Sequence, residues 1–347
     1  TNILYAATGD YDGGQNRSIG VLKSTDAGET WNLTGLTATL GQSELISKLL
    51  IDPNNTNTVF ATTRNAIKRS TDGGATWTNV HSVSGALFND ILYKPGSSTV
   101  IYATAQNGKF YKSTNNGSSW TEASTPTSGR FDMALTAHDS NQILILNSNG
   151  QIRKSTNEGA SWTTVSTLGS YSSQGGYNMT ICVSPINKNL VIVGGVDGWR
   201  STNGGATWEK YLDGYWTTGN PYFYVHSDHH DMMFVPGSNT AFSVNDGGIF
   251  KGDASGNTAW TDLSSGLAIT QYYNVSGTPQ NAGYLLVGAQ DNDLTHYNGT
   301  QWTGRNPTSD GVEAVWDYSN SNIAWTCSQN GILFRTTNGF GSSSYLA

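Results

Sequence analysis

The densest cluster of side chains that could do chemistry lies in the segment 226–231. Imidazole and carboxylate groups bind metals and exchange protons near neutral pH. The spacing matches no zinc motif, so His229 and His230 are candidate ligand-binding residues instead of an assigned metal site. Alternatively, Asp228 and His230 cap the start of a strand and connect neighbouring sheets by hydrogen bonds. The cluster consists of His226, Asp228, His229, His230 and Asp231.

Four acidic residues in the second half of the chain could supply catalytic carboxylates. They lie in turn-like segments beside apolar runs, and the candidates are Asp228, Asp246, Asp291 and Asp310. A glycoside hydrolase needs two carboxyl groups about 5 to 10 Å apart on either side of the scissile bond. The sequence contains no distances, so hydrolysis is a hypothesis at this point.

Alternating aspartates suggest calcium binding at two places. Asp10 and Asp12 are separated by one residue, as are Asp291 and Asp293. Oxygen ligands at this spacing occur in calcium loops, but neither segment completes the twelve-residue loop pattern. Acidic turns are the alternative, because aspartate side chains bond to nearby backbone N–H groups. The sequence requires no cofactor, and calcium is the candidate if one binds.

An aromatic segment, residues 211–224, is the longest insertion between repeated units. Aromatic rings stack on the C–H faces of sugar rings, while amides and hydroxyls bind sugar hydroxyls. An insertion that packs on its own aromatic side chains is an equally good interpretation. The ligand-binding candidates in this segment are Tyr215, Trp216, Tyr222 and Tyr224.

A nine-residue box that ends in tryptophan recurs every 42 to 46 residues and defines the elements that position these side chains. Looser copies follow at 251–260, 297–302 and 335–340, so eight units fit the chain. Each unit has four short strand-like runs, which is the pattern of a β-propeller. The clear boxes are Lys23–Trp31, Arg69–Trp77, Lys112–Trp120, Lys154–Trp162 and Arg200–Trp208.

The repeat predicts an all-β fold, a single β-propeller of seven or eight four-stranded blades with a box turn between the third and fourth strands. Residues 1–347 form one domain in this interpretation, because no Pro- or Ser-rich linker separates the units. The first unit lacks an obvious innermost strand and the last lacks a clear outer strand. We therefore expect a piece of a longer chain, with sequence missing at both ends.

The box residues are expected to be structural. Asp or Asn in the box can bond to the backbone N–H groups that follow, glycine takes a positive φ, and the tryptophan packs between sheets. Similar sites spaced around a ring cannot converge on one substrate. The residues concerned are Asp26, Trp31, Asp72, Trp77, Asn115, Trp120, Asn157, Trp162, Asn203 and Trp208.

Composition excludes several classes of protein. The chain has 18 Lys and Arg residues against 25 Asp and Glu residues, a formal charge of −7. Nucleic-acid binding is not expected, because phosphate neutralisation needs clustered cations. No apolar run is long enough to span a membrane. Cys182 and Cys327 lie in apolar strand-like runs, which favours two buried free thiols.

Five further motifs resemble the secreted Asp-box (BNR-like) propellers of Bacteroidetes, which are often exported by type IX secretion. The resemblance implies an extracellular or outer cell-surface location, a preceding blade and a following sorting domain. Related folds are sortilin-type peptide-binding propellers, sialidases and xyloglucan-cleaving propellers. Sialidases fit poorly, because the Arg-Ile-Pro motif and an arginine triad are missing, and no catalytic residue is carried over. The motifs are 175–185, 225–231, 245–250, 266–273 and 288–292.

Two functions follow as hypotheses. The first is a binding propeller that recognises a glycan or a protein partner on one face without catalysis, because scaffold residues greatly outnumber convergent catalytic ones. The alternative is an endo-acting, xyloglucanase-like glycoside hydrolase that uses a pair of the four aspartates at the mouth of a channel. A purely structural spacer module would have neither cleft nor ligand.

Overall fold

The computed structural model describes residues 2–11, 17–42, 44–124, 129–169, 171, 174–215, 221–305, 310–340 and 344–345. These residues form eight β-sheets. The prediction of an all-β propeller fold with seven or eight blade-sized sheets is confirmed. By backbone contacts the chain divides into two compact units. Unit 1 comprises residues 1–245 and 249–262, and unit 2 comprises residues 246–248 and 263–347.

Unit 1 contains six sheets whose strands follow one another in chain order, each beside the previous one. Sheet 1 has three strands, sheets 2, 3, 4 and 6 have four, and sheet 5 gains a short fifth strand. They are β1 (Leu4–Ala7), β2 (Gly20–Ser24), β3 (Asn32–Thr37); β4 (Ile46–Ile51), β5 (Val59–Thr63), β6 (Ala66–Ser70), β7 (Thr78–Ser82); β8 (Phe88–Tyr93), β9 (Ile101–Ala105), β10 (Lys109–Ser113), β11 (Thr121–Ser124); β12 (Phe131–Leu135), β13 (Ile143–Asn147), β14 (Gln151–Ser155), β15 (Thr163–Thr167); β16 (Thr180–Val183), β17 (Val191–Gly194), β18 (Gly198–Ser201), β19 (Glu209–Asp213), β20 (Phe223–Tyr224); and β21 (His229–Phe234), β22 (Thr240–Asn245), β23 (Gly248–Asp253), β24 (Thr261–Asp262).

Unit 2 contains two four-stranded sheets built in the same order. They are β25 (Tyr272–Thr278), β26 (Asn281–Ala289), β27 (Leu294–Asn298), β28 (Trp302–Arg305); and β29 (Gly311–Trp316), β30 (Ala324–Ser328), β31 (Leu333–Thr336), β32 (Ser344–Tyr345). The helical segments in the described part of the chain are two 3-10 turns, Leu40–Gln42 and Gln329–Gly331, and no described helix could cross a membrane.

Apolar second strands explain why the sheets of unit 1 stack face to face. Every residue of β5, β9 and β13 is buried, so both faces of these strands are covered. The fourth strands β7 and β15 are mostly exposed and rich in Thr, Ser and Asn. Burial on both faces favours continuous apolar runs, whereas an outer strand tolerates polar residues. Burial in sheets 2 and 4 therefore peaks at the second strand and is lowest at the outer fourth strand.

The boxes form turns that bond the sheets of unit 1 to one another. Both carboxylate oxygens of Asp26 accept hydrogen bonds from Thr30, from its backbone N–H at 2.9 Å and its hydroxyl at 2.6 Å. The first residue of a box reaches the next box, since Lys23 Nζ lies 2.8 Å from the Gly73 carbonyl oxygen and Arg69 donates to the Asn116 carbonyl at 2.9 Å. These repeated cations therefore act as ties between sheets.

Glycine is required in the box for two reasons at Gly159. Its φ is +84°, and a Cβ there would lie 2.2 Å from Cε1 of Phe110 on the preceding sheet. Phe110 is buried and its ring contacts Trp162 edge-on, with ring centroids 5.3 Å apart. The box glycine thus allows an aromatic side chain of one sheet to pack against the turn of the next.

The first strands of unit 1 surround a common interior. Strands β4, β8, β12, β16 and β21 pack against one another in that order. Lys48 on β4 nevertheless lies 3.8 Å from Asp231 on β21, although three first strands separate them in the series. The series must therefore curve until its inward-facing side chains meet, which is the arrangement of propeller blades about an axis.

Candidate functional site: a charged cavity between first strands

Four charged residues occupy one register position on four first strands of unit 1. Each is in the ladder pair that follows the first pair of its strand, and three of them follow a β-bulge. Bulges re-aim side chains and are common beside active sites. The residues, called the inner charge cluster below, are Lys48 on β4, Asp90 on β8, Asp132 on β12 and Asp231 on β21.

Two aspartates of the inner charge cluster tie first strands together. Asp90 accepts the backbone N–H of Ile91 at 2.8 Å and that of Met133, on the next sheet, at 3.3 Å. Asp132 accepts the N–H of Met133 at 3.1 Å and that of Ile181, on the sheet after it, at 2.7 Å. Both side chains therefore have a structural role, because each satisfies a backbone donor of the neighbouring sheet.

Burial, and after it the charges of neighbouring groups, shift the pKa values of the two aspartates in the cluster. Burial, followed by the charge of Asp90, raises the pKa of Asp132 to about 7. Burial also raises the pKa of Asp90, against the opposing effect of Lys48. Lys48 has a raised pKa, first because of Asp90, so it stays protonated. Near neutral pH, Asp132 therefore exchanges a proton while Lys48 remains a cation.

Two cavities in unit 1 share all four residues of the inner charge cluster. The polar cavity has a volume of about 220 Å³ and also involves Tyr11, Asn89, Arg130 and His230. The apolar cavity has a volume of about 520 Å³, its walls are formed mostly by apolar side chains, and half of its lining residues are Leu, Ile, Val, Met or Pro. Cys182 lines the apolar cavity, and burial raises the pKa of its thiol. The inner charge cluster thus lies between a polar and an apolar compartment.

Asn89 presents an unsatisfied acceptor in the polar cavity. The residue is only 6% exposed, and its side-chain Oδ1 receives no hydrogen bond from the residues that the structure describes. Its amide nitrogen donates to the hydroxyl of Tyr11. A buried acceptor without a donor costs about 1 to 3 kcal/mol, so such an atom is informative about what should bind there.

Arg130 frames the same cavity through contacts with a loop and an aromatic ring. Its Nη1 donates to the carbonyl oxygens of Gly176 at 3.0 Å and Tyr177 at 2.8 Å. The guanidinium lies 5.6 Å from the centre of the Tyr11 ring. His230 contacts Tyr177 edge-on, with ring centroids 4.9 Å apart. These contacts hold Arg130 and His230 in place in the wall of the polar cavity.

The segment 226–231 separates into buried and cavity-facing residues. His229 is fully buried and its Nδ1 lies 2.7 Å from the Ser243 hydroxyl, so a ligand cannot reach it. Asp228 has a φ of 62° and accepts a hydrogen bond from the Asn178 side chain. His230 and Asp231 line the polar cavity. The structure therefore keeps His230, but not His229, as a ligand-binding candidate.

The aromatic segment, residues 211–224, also separates into exposed and packed side chains. Tyr215 is 60% exposed and Tyr222 is 40% exposed, with Lys210 Nζ 5.3 Å from the Tyr222 ring centre. Burial, followed by the charge of Asp228, raises the pKa of Tyr215. Tyr224 is half-buried and packs edge-on against Phe250. Trp216 lies outside the described residues. Tyr215 and Tyr222 remain accessible to a ligand, and Tyr224 is part of the core packing.

The acidic candidates of unit 2 hold a turn together. Asp310 is buried, and its carboxylate accepts the backbone N–H of Asp291 at 2.8 Å and the Gln329 amide at 2.5 Å. Asp291 and Asp293 both have a φ of 56°. The backbone carbonyl of Asp246 accepts the Asn292 amide at 3.1 Å. The carboxylate of Asp310 is thus committed to local structure, which weakens its case as a catalytic group.

Calcium binding stays a prediction at both places. In unit 2, the acidic turn at Asp291 and Asp293 is stabilised by hydrogen bonds within the chain. In unit 1, Asp10 is half-buried after β1. Asp12 lies outside the described residues.

The structural candidates in the boxes make the contacts expected of turns. Asp72 repeats the bonds of Asp26, and Asn115 accepts the Ser119 N–H at 2.9 Å. Four of the tryptophans donate from the indole N–H to the carbonyl of the box glycine: Trp31, Trp77, Trp120 and Trp208. Trp162 differs, because its buried indole nitrogen makes no hydrogen bond within the described part of the chain. Asn157 and Asn203 bond to Ser161 and Thr207 in the same way as Asn115 bonds to Ser119.

Sequence reasoning missed Lys48, Asp90 and Asp132. The signal was present, because a charge interrupts an apolar first strand at the same place in three successive units, 42 residues apart each time. Each charge alone is an ordinary polar residue at a strand end. Only the repeat indicates that the three side chains share one position in the fold.

Comparison with known proteins supports the propeller fold. A family model described as Sortilin, neurotensin receptor 3, matches residues 65–169. The xyloglucanase Xgh74A of Acetivibrio thermocellus is 31% identical over 150 residues, which cover 34% of this chain and 18% of that protein. A xyloglucanase of Hypocrea jecorina is 30% identical over 151 residues, with the same two coverages. The chain thus spans about a fifth of the length of these relatives.

Two solved structures share the fold over nearly the whole chain. The GH74 xyloglucanase of Xanthomonas campestris matches 99% of this chain and 64% of its own, with a TM-score of 0.60 and 16% identity. An ancestral GH74 enzyme matches 100% of this chain and 60% of its own, with a TM-score of 0.52 and 18% identity. At such low identity the likeness shows the fold alone.

Proposed function

We propose that this chain is a glycan-binding propeller that acts outside the cell or on its surface, and that unit 1 holds the glycan without cleaving it. The observation that carries the proposal is the polar cavity of about 220 Å³. Its hydroxyl, amide, carboxylate and guanidinium groups come from several strands and the adjoining loops and converge on a space about the size of one sugar ring. Convergent polar groups around a preformed cavity are the usual form of a ligand site.

The chemistry of the lining suits a polyol. A sugar ring carries several hydroxyls, each of which donates one hydrogen bond and accepts others. The cavity supplies acceptors in Asp231 and in Asn89 Oδ1, which has no donor within the described residues. The apolar cavity beyond the inner charge cluster provides a surface for C–H faces.

Binding is favoured over hydrolysis because the two least exposed carboxylates of the polar cavity already accept hydrogen bonds from the backbone. Asp90 and Asp132 each accept backbone N–H groups with both oxygens. A catalytic acid must instead deliver its proton to the glycosidic oxygen. The xyloglucanase relatives support a carbohydrate ligand, and a protein ligand is the competing partner class.

A glycoside hydrolase is the second candidate, and one observation favours it. The pKa of Asp132 is about 7, and the largely exposed carboxylate of Asp231 lines the same cavities. A protonated carboxyl near an ionised one is the arrangement that glycosidases use. In this candidate Asp132 is the general acid and Asp231 the nucleophile or base.

The proposed extracellular or cell-surface location rests on the motifs shared with secreted Asp-box propellers and not on the fold. We propose export through type IX secretion, as in the Asp-box propellers that the chain resembles. Deleting a component of that secretion system in the source organism should move the protein from the medium or cell surface into the periplasm. An unchanged distribution would refute this route.

Isothermal titration and a reducing-end assay together test the function. The purified chain is titrated with tetrasaccharides of β-1,4-linked glucose, N-acetylglucosamine and glucosamine and with xyloglucan oligosaccharides. We expect binding to at least one sugar, reduced at least tenfold by Asn89→Ala and unchanged by Asp139→Asn, a surface control that pairs with Lys188. If the chain releases reducing ends and Asp132→Asn abolishes this release, the function is hydrolysis and not binding alone. Absence of binding to every sugar would refute both.

A further inference from the structure

The polar cavity has more negative than positive groups. Among the described residues, three carboxylates, those of Asp90, Asp132 and Asp231, share it with two cations, Lys48 and Arg130, and with the imidazole of His230. Lys48 lies closest to Asp231, at 3.8 Å, and Arg130 donates to two backbone carbonyls. Among the described residues, no cationic nitrogen lies within 4.0 Å of the carboxylate of Asp90 or of Asp132. When all three carboxylates are ionised, the described residues of the cavity therefore carry one more negative charge than Lys48 and Arg130 neutralise.

Asn89 supplies an independent indication of a hydrogen-bond donor. Its Oδ1 is buried at the edge of the cavity and receives no hydrogen bond from any described residue. An ammonium group donates three hydrogen bonds and accepts none, and sugar hydroxyls donate one each. A ligand that carries both kinds of group matches the acceptor as well as the excess of negative charge.

We infer that the polar cavity selects a glycan with a free amino group, an amino sugar, over neutral, N-acetylated or acidic sugars. The inference rests on the proposed function and names the class of sugar. An ammonium among these carboxylates gains Coulomb energy that a neutral hydroxyl does not. N-acetylation removes the charge and adds bulk to a cavity of about 220 Å³. A uronic acid would add a fourth carboxylate to the three already present.

The protonation of the cluster agrees with this inference. Burial and Asp90 hold the pKa of Asp132 at about 7, so part of the population is protonated when the site is empty. A bound ammonium favours the ionised form of a neighbouring carboxyl. An ammonium that binds beside Asp132 should therefore release part of this proton, whereas an amino sugar that is unprotonated in solution takes up a proton when it binds as the ammonium. A neutral sugar should do neither.

Titration with matched tetrasaccharides tests the selection. The probes are the β-1,4-linked tetramers of glucosamine, N-acetylglucosamine and glucose, which share one backbone, together with tetralysine as a cation without sugar rings. At pH 6.5 we expect glucosamine tetramer to bind at least tenfold more tightly than glucose tetramer. Repeating the titration in two buffers with different heats of ionisation measures the net number of protons exchanged. Subtracting the uptake by the sugar amines, whose protonation at pH 6.5 is measured in the free tetramer, gives the number released by the protein.

Variants distinguish the cavity from general attraction to an acidic protein. Asp132→Asn and Asp231→Asn should each reduce the preference for the amino sugar to threefold or less, while Asp139→Asn should leave it unchanged. Asp231 is the safer change, because its exposed side chain makes no backbone hydrogen bond within the described residues. Equal affinity for the glucose tetramer, or equally tight binding of tetralysine, would overturn the inference and leave glycan binding intact. Failure of every tetrasaccharide to bind would refute the proposed function itself.

Discussion

Replacing Asp132 with asparagine should change how the stability of unit 1 depends on pH. The pKa of Asp132 is raised from 3.8 to about 7, first by burial and then by Asp90. A carboxyl whose pKa is higher in the folded state contributes stability that is fully present below pH 3.8 and is lost as pH rises through about 7. Asparagine has no proton to lose, so the variant should lack this pH-dependent loss.

The magnitude follows from the size of the shift. One pKa unit corresponds to about 1.4 kcal/mol, and linkage gives a loss of about 2 to 3 kcal/mol for the native protein between pH 5 and pH 8. The amide of the variant can accept from only one of the two N–H groups, those of Met133 and Ile181, that Asp132 binds. That defect should cost about 1 to 3 kcal/mol at every pH. Asp132→Asn should therefore be less stable at pH 5 and regain most or all of the difference by pH 8.

Urea denaturation followed by tryptophan fluorescence at pH 5, 6, 7 and 8 measures the effect. The quantity of interest is the free energy of unfolding of the variant minus that of the native chain. Asp139→Asn is the control, because Lys188 lowers the pKa of Asp139 and this carboxyl stays ionised throughout the range. The groups that face Asp132 are present in both proteins: Lys48, Asp90, Arg130, Tyr171, Cys182, His230 and Asp231. A difference that is constant from pH 5 to pH 8 would refute the assigned pKa and its cause.

Substitutions at two box residues and at Lys48 test other contacts of unit 1. Gly159→Ala should lower the free energy of unfolding by about 2 to 4 kcal/mol in urea denaturation, because its Cβ would strike Phe110 at a φ of +84°, whereas Gly176→Ala, with open space around it, should be neutral. Hydrogen bonds from Thr76 and Ser70 lower the pKa of Asp72 to about 2. The contribution of this carboxylate to stability is therefore present above pH 3.8 and should disappear as pH falls through 2. Asp72→Asn should show a weaker acid unfolding transition by circular dichroism, and an unchanged transition would contradict this. Lys48→Met should raise the pKa of Asp90 and destabilise the chain more at pH 8 than at pH 5, and equal destabilisation in thermal melts at both values would argue against Lys48 as the counter-charge.

Local chemistry made the blades predictable from the sequence. The box turn depends on hydrogen bonds within four residues, such as those between Asp26 and Thr30, and on glycine at a positive φ. Strand patterning is likewise short-range, because the period of two and the apolar runs are visible within five residues. The repeated box, the strand order and the all-β fold could therefore be inferred without distances.

The inner charge cluster was decided by tertiary structure. Lys48, Asp90 and Asp132 are 42 residues apart in succession, and Asp231 lies much further along the chain. Their meeting depends on the curvature of stacked sheets and on bulges that turn a side chain inward, and neither has a local signature. The same holds for His229, whose burial against Ser243 no residue pattern revealed. Contacts within a turn involve residues that are adjacent in the sequence, so the sequence alone predicts them. A cavity between sheets forms only when the sheets pack, so it depends on the tertiary structure.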